Sequence, residues 1–96
     1  MKFEWDDNKE QINIRKHNIK FSTAAMVFKD EFRLEFYDER HSTYYEDRYL
    51  TIGLIDDIAV IVVVVYTERG EYIRIISARR ANSHERRLYY DSSARY

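Results

Sequence analysis

The chain has no cysteine, no proline and only two glycines, Gly53 and Gly70, in 96 residues. Without cysteine there is no disulfide to staple the fold and no thiolate zinc site. Without proline, and with glycine this sparse, nothing marks a linker or a repeat. The chain therefore reads as one continuous domain, residues 1–96. Its three histidines, His17, His41 and His84, lie far apart and make no metal spacing. Long apolar runs are missing too. The longest, Ile58 to Tyr66, is too short to cross a bilayer as a helix, and Met1-Lys2-Phe3-Glu4-Trp5 runs into charge rather than into an apolar leader. These absences point to a cytoplasmic chain with no membrane contact. No P-loop, dinucleotide fingerprint, HExxH or Ser/His/Asp arrangement is present, and the carboxylates do not recur in a metal-nuclease spacing, so no metal and no cofactor is expected.

What the chain does have is arginine in one place. The formal net charge is only −1, which argues against a general nucleic-acid coat. From Tyr66 onward, however, seven Lys+Arg face four Asp+Glu, so that end is +3 and the remainder is −4. Every cation in that end is arginine, and all five lysines precede residue 30. The middle, Asp30 to Asp47, is acidic. Such polarity fits one face for an anion and one for a basic partner, although most of the acidic stretch reads as solvated charge.

Periodicity predicts β-α-α-β-β-β-β-α, an α+β fold with a twisted, mainly antiparallel sheet and helices packed mainly on one face. Phe3-Glu4-Trp5 reads as a first strand. Asp7 with Glu10 has the form of a capping box for a helix to about His17, and Asn18 suits a left-handed exit. A second helix is expected from Ser22 to about Asp30, with Phe21 and Met26 as a hydrophobic staple. Phe32-Leu34-Phe36 and Arg48-Leu50-Ile52-Leu54 alternate as half-buried strands. Ile58 to Tyr66 is a β-branched run suited to a central strand, and Arg69-Gly70 signals a hairpin into Tyr72 to Arg80. Asn82 with Glu85 opens a last helix, to about Tyr90.

The chemistry concentrates in that hairpin. Guanidinium is always charged and its rigid fork matches phosphate oxygens. Strict alternation puts Arg74, Ile76, Ala78 and Arg80 on one face and Ile73, Ile75, Ser77 and Arg79 on the other. Arg69 and Arg79 then lie at opposite ends of a strand roughly 30 Å long, able to track successive phosphates of one RNA strand. Each arginine could instead be held in an ion pair, Arg69 with Glu68 or Glu71, and that is the plainer expectation for Arg74, Arg86 and Arg87. It is the weaker expectation for Arg79 and Arg80, which have few acids near them in sequence. A second constellation is Asn13-x-x-Lys16-His17. A helix C-terminus alone favours such cations, but histidine is also the side chain whose charge changes near neutral pH, as proton transfer requires. Trp5 suits either the core or a stacking platform for a base.

Phe3-Glu4-Trp5-Asp6, Asn13, Lys16-His17, Phe21, Ala24-Ala25, Phe28, Asp38, His41-Ser42, Glu46, Arg48, Gly53, Thr67-Glu68-Arg69, Ile73-Arg74-Ile75-Ile76-Ser77-Ala78-Arg79 and Glu85-Arg86 together resemble the BrnT toxin family of type II toxin–antitoxin systems. The resemblance implies a RelE-like ribonuclease that cuts RNA without metal by attack of the 2′-hydroxyl on the adjacent phosphate. It implies a BrnA-like antitoxin as partner, contact with DNA only through that antitoxin, and a possible homodimer within a toxin–antitoxin heterotetramer. It implies Lys16, His17, Arg69, Glu71 and Arg79 as catalytic residues and Arg74, Arg80 and Arg86 as RNA-binding residues, to which Trp5 is added as the stacking candidate; guanidinium groups of the final hairpin are then expected to meet a side chain of the first helix in one pocket. The family pattern does not reach Asp91 to Tyr96, expected to fray. The alternative is a catalytically inactive module whose arginine face docks an antitoxin and assists operator binding. A weaker one is a bare interaction protein that dimerises through its nine tyrosines.

Overall fold

A computed structural model of the chain describes residues 1–93, with strands β1 (Lys2–Trp5), β2 (Leu34–Tyr37), β3 (Arg48–Ile55), β4 (Val60–Arg69) and β5 (Tyr72–Arg80) and helices α1 (Asp7–His17), α2 (Phe21–Ala24) and α3 (Ser83–Ser93). The tail expected to fray is helical as far as Ser93, and residues 94–96 lie outside the described residues. The five strands form one sheet in the order β1-β5-β4-β3-β2. Only the β1–β5 pair is parallel. The element order and the α+β class are as the periodicity predicts.

Local chemistry sets the helix ends. Asp6, not Asp7, caps α1, its side chain accepting from the Lys9 amide at 3.0 Å. Glu10 leaves the expected capping box and accepts instead from the Phe21 amide at 2.8 Å, tying α1 to the start of α2. Asn18 exits left-handed at φ 55°, as expected. The second helix is α for only four residues and continues as a tighter 3-10 turn, Ala25–Lys29. Asn82 and Glu85 do form a reciprocal capping box at α3, each amide 2.9 Å from the other's side chain.

Two cores flank the sheet. On one face Phe21, Ala24 and Val27 pack against Ile55, Val62, Val64, Ile75 and Ala78. Gly53 lies under this layer, where an added Cβ would sit 2.6 Å from Val27 Cγ1, so only glycine lets the 3-10 turn approach so closely. On the other face Tyr89 of α3 packs with Ile52, Ile61, Val63 and Ala81. The Tyr89 hydroxyl reaches Asp30 at 2.6 Å, anchoring the end of α3. Burial, reinforced by that hydrogen bond to a carboxylate, pushes the Tyr89 phenol well up from its ordinary value.

Candidate active site on the open sheet face

The register between β4 and β5 skips one residue. Val65 pairs with Ser77 and Tyr66 with Ile75, which leaves Ile76 without a partner as a β-bulge. A bulge shifts alternation by one. Ile73 and Ile75 therefore share the helix face with Ala78 and Arg80, while Arg74 shares the far face with Ser77 and Arg79. This corrects the face assignment that strict alternation gives. Nothing in Ile73-Arg74-Ile75-Ile76 marks the bulge, because the unpaired residue is as β-branched and apolar as its neighbours.

Cross-strand partners share a face, so beyond the Leu54–Ile61 pair the register lays out four rows across the far side. Leu34, Ile52, Val63 and Arg79 form the first row, and Phe36, Leu50, Val65 and Ser77 the second. Arg48, Thr67, Arg74 and Glu4 form the third, and Arg69, Tyr72 and Lys2 the fourth. The core formed with α3 takes in Ile52 and Val63 of the first row, and α3 also holds Arg79 through Glu85. Beyond it lies a half-exposed apolar strip and then a band of charge. Arg48 belongs to this band, a member the sequence reading did not assign; its alternation with Leu50 and Ile52 was the signal for it.

The α1 helix closes the edge of this face. Past Trp5 no strand among the described residues covers β5, and Asn13 takes over. Its Oδ1 accepts from the Ala78 amide at 3.0 Å, and its Nδ2 donates to the Ile19 carbonyl at 3.0 Å. It is 4% exposed, and its role is to satisfy a sheet edge. Lys16 and His17, one turn further on, line an open pocket of about 280 Å³ with Lys9, Ile12, Asn13, Ile76 and Ser77. Ser77 belongs to the second row, so the Lys16 and His17 side chains stand at the border of the open face. Among the described residues neither has an acidic partner.

The arginines are held by acids from other elements. The Arg79 fork meets both Glu85 oxygens, at 2.7 and 2.8 Å. That pairing corrects the expectation that Arg79 is among the cations least engaged by acids. It holds the Glu85 carboxyl below its ordinary range and raises the guanidinium further, while Glu85 also caps α3. Arg74 meets Glu4 at 2.9 Å. Arg48 and Arg69 share Glu46, at 3.1 and 3.3 Å, and chiefly through Arg48 this lowers the Glu46 carboxyl. Arg69 thus pairs with neither Glu68 nor Glu71.

The expected residues are only partly brought together. Arg69, Arg74 and Arg79 share one face, with Lys16 and His17 at its edge. One pocket holding Lys16, His17, Arg69 and Arg79 does not form, because Arg69 and Arg79 stand three rows apart, roughly 20 Å at the rise of a strand. Glu71 sits in the β4–β5 turn, 3.6 Å from Lys2. Arg80 points to the helix side and donates to the His17 carbonyl at 3.4 Å. Trp5 also faces the helices, edge-on to Phe21 with centroids 6.1 Å apart. Arg86 donates to the Ala81 carbonyl at 2.7 Å in the first turn of α3. Among the described residues no three His, Asp or Glu side chains converge as metal ligands, and no helix is long and apolar enough to cross a membrane.

Comparison with known proteins adds a family. Residues 5–85 match the family described as "Ribonuclease toxin, BrnT, of type II toxin-antitoxin system". A search of curated proteins finds no match. The matched span runs from Trp5 at the end of β1 to Glu85 in the first turn of α3, and so includes the whole row pattern from β2 to β5, the bulge and the α1 edge. The chain belongs to the BrnT ribonuclease toxin family of type II toxin–antitoxin systems.

Proposed function

We propose that the chain is a metal-independent endoribonuclease that binds single-stranded RNA across the far face of the sheet and is neutralised by a BrnA-like antitoxin. The carrying observation is the bulge at Ile76, which brings Arg79 onto the face that already holds Arg69 and Arg74, the face whose edge Lys16 and His17 border. The rows repeat every roughly 7 Å, close to the step between successive phosphates of an extended strand.

In this reading the scissile phosphate lies over Ser77, beside Lys16 and His17. Neutral His17 takes the proton of the 2′-hydroxyl. The 2′-oxygen attacks phosphorus in line, and the bond to the 5′-oxygen breaks as that oxygen takes a proton from water, leaving a cyclic phosphate and a 5′-hydroxyl. Lys16 and Arg79 oppose the charge that builds on the phosphorane, since donors fixed in advance need not reorganise. Arg74 and Arg69 hold flanking phosphates. Glu85, Glu4 and Glu46 keep the three forks positioned until phosphate replaces them. Trp5 and Arg80 have no part in this reading, because they face the helices.

Purified protein is incubated with single-stranded RNA in EDTA, beside Arg79→Ala. Cleavage by the wild type, reduced in the variant, supports the reading. No cleavage in EDTA together with cleavage in added magnesium contradicts its metal independence. A second reading, an inactive module that binds without cutting, is favoured by one fact: all three guanidinium groups already hold carboxylates. Equal RNA binding by both proteins with no cleavage in either buffer selects it.

A further inference from the structure

We propose that the opposite side of the molecule carries a docking pocket for an acidic, apolar segment of a protein partner. Between the end of α1, the start of α2 and the β3–β4 turn lies an open pocket of about 340 Å³. Its walls are aliphatic, chiefly Ile14, Ile19, Ile55, Val60 and Val62. Ile58 stands at its border, 51% exposed, on a 3-10 turn closed by Ala59 in the left-handed region at φ 53°. A non-glycine residue seldom adopts that region, so the turn has a distinct shape. An exposed isoleucine on such a turn is a ready contact for an apolar side chain.

Charge complementarity identifies the occupant. Lys20 and Arg80 line the same pocket and are exposed. Among the described residues neither has an ion-pair partner, and no carboxylate lines the pocket. Among the described residues the Arg80 guanidinium makes one hydrogen bond, to the His17 carbonyl at 3.4 Å. Two unpaired cations beside an apolar cavity match an aliphatic anchor flanked by Asp or Glu. RNA fits less well, because among the described residues no aromatic side chain lines the pocket to stack a base. The pocket is open, which suits a side chain projecting from a partner more than an engulfed small molecule. It lies across the sheet from the four rows, so the inference stands apart from the ribonuclease reading. In a toxin–antitoxin pair the antitoxin would supply the segment.

The test selects 12-residue peptides from a random phage library on the purified chain at low salt. Selected peptides are then measured against the wild type, Lys20→Glu/Arg80→Glu and Ile58→Ser by fluorescence polarisation, with amide shifts mapped by NMR. The expected winners place an apolar residue beside Asp or Glu and shift the amides of Ile14, Ile58 and Val60. They lose about tenfold or more in affinity to the double variant, and measurably to Ile58→Ser. RNA cleavage by both variants stays at the wild-type rate, so this result and that of the cleavage assay are read separately. The proposal is overturned by no enrichment, by winners without that pattern, by unchanged affinity for the double variant, or by a 12-nucleotide RNA that shifts the same amides more than the peptides do.

Discussion

On the helix side of the sheet, Val62, Val64, Ile75 and Ala78 lie under Phe21, Ala24 and Val27, and Phe3, Trp5 and Phe28 extend that layer. On the far side the fully buried residues stop at the first row; Leu50 of the second still packs against them, and Phe36, Leu50, Val65 and Ser77 are left half-exposed beside paired arginines. Both faces come from the same strands. The difference lies in what the helices cover, and it divides the labour. The covered face supplies most of the hydrophobic stabilisation, at about 25 cal/mol per Å² of apolar surface removed from water. The open face keeps charge at the surface, where each ion pair contributes little to stability but holds a guanidinium in place.

The sharpest way to break this comparison is to truncate one phenylalanine on each side. Phe21→Ala, fully buried, is expected to lose about 3–5 kcal/mol in urea unfolding, a large share of the stability of a small domain. Phe36→Ala, 43% exposed on the far face, is expected to lose about 1 kcal/mol or less. Equal losses would mean that the far face is covered in solution.

A second variant tests the seam between the faces. Asn13→Ala strands the Ala78 amide and the Ile19 carbonyl, at about 1–3 kcal/mol for each buried group left unpaired. Amide exchange at Ala78 should accelerate more than at Val64, its partner across β4.

A smaller effect concerns the tie between α3 and β5. The carboxyl of Glu85 titrates below its ordinary value when folded, chiefly because Arg79 hydrogen-bonds it. Its contribution is therefore complete above the unfolded value and is lost as pH falls through the folded one. Glu85→Gln is expected to cost roughly 1 kcal/mol at pH 7, discounted because the Arg79 side chain is 42% exposed. The loss of Tm between about pH 5 and 3 should be shallower in the variant. An unchanged acid slope would show that the pair does not report on folding.

Much of this was legible in the chain. The Asn82–Glu85 capping box, the Asn18 exit and the central β-branched strand each carry a local chemical signature, and each is found, while the hairpin signalled by Arg69-Gly70 turns one residue later, at Gly70-Glu71. Asp6 and Asp7 present the same carboxylate one residue apart, so the cap was misplaced by one. The site was harder to read. The bulge is set by how β5 meets β4 on one side and β1 and α1 on the other, and no residue type announces it. Glu46 sits 23 residues before Arg69 in sequence, and Glu4 sits 70 before Arg74, so neither partner follows from local spacing. Asn13 was visible as part of a motif, but its work at the sheet edge depends on an amide 65 residues away.

The central claim is that RNA is cut on the far face, and two neighbours on opposite sides test it most directly. His17 stands at the border of that face, while Arg80 points to the helix side and touches His17 only through its carbonyl. Cleavage of one single-stranded RNA in EDTA is followed for the wild type, His17→Ala and Arg80→Ala. The account predicts a loss of about 100-fold or more for His17→Ala, the scale of a missing proton-transfer group, and a near wild-type rate for Arg80→Ala. An active His17→Ala beside an inactive Arg80→Ala would place the chemistry on the other side of the sheet and contradict it.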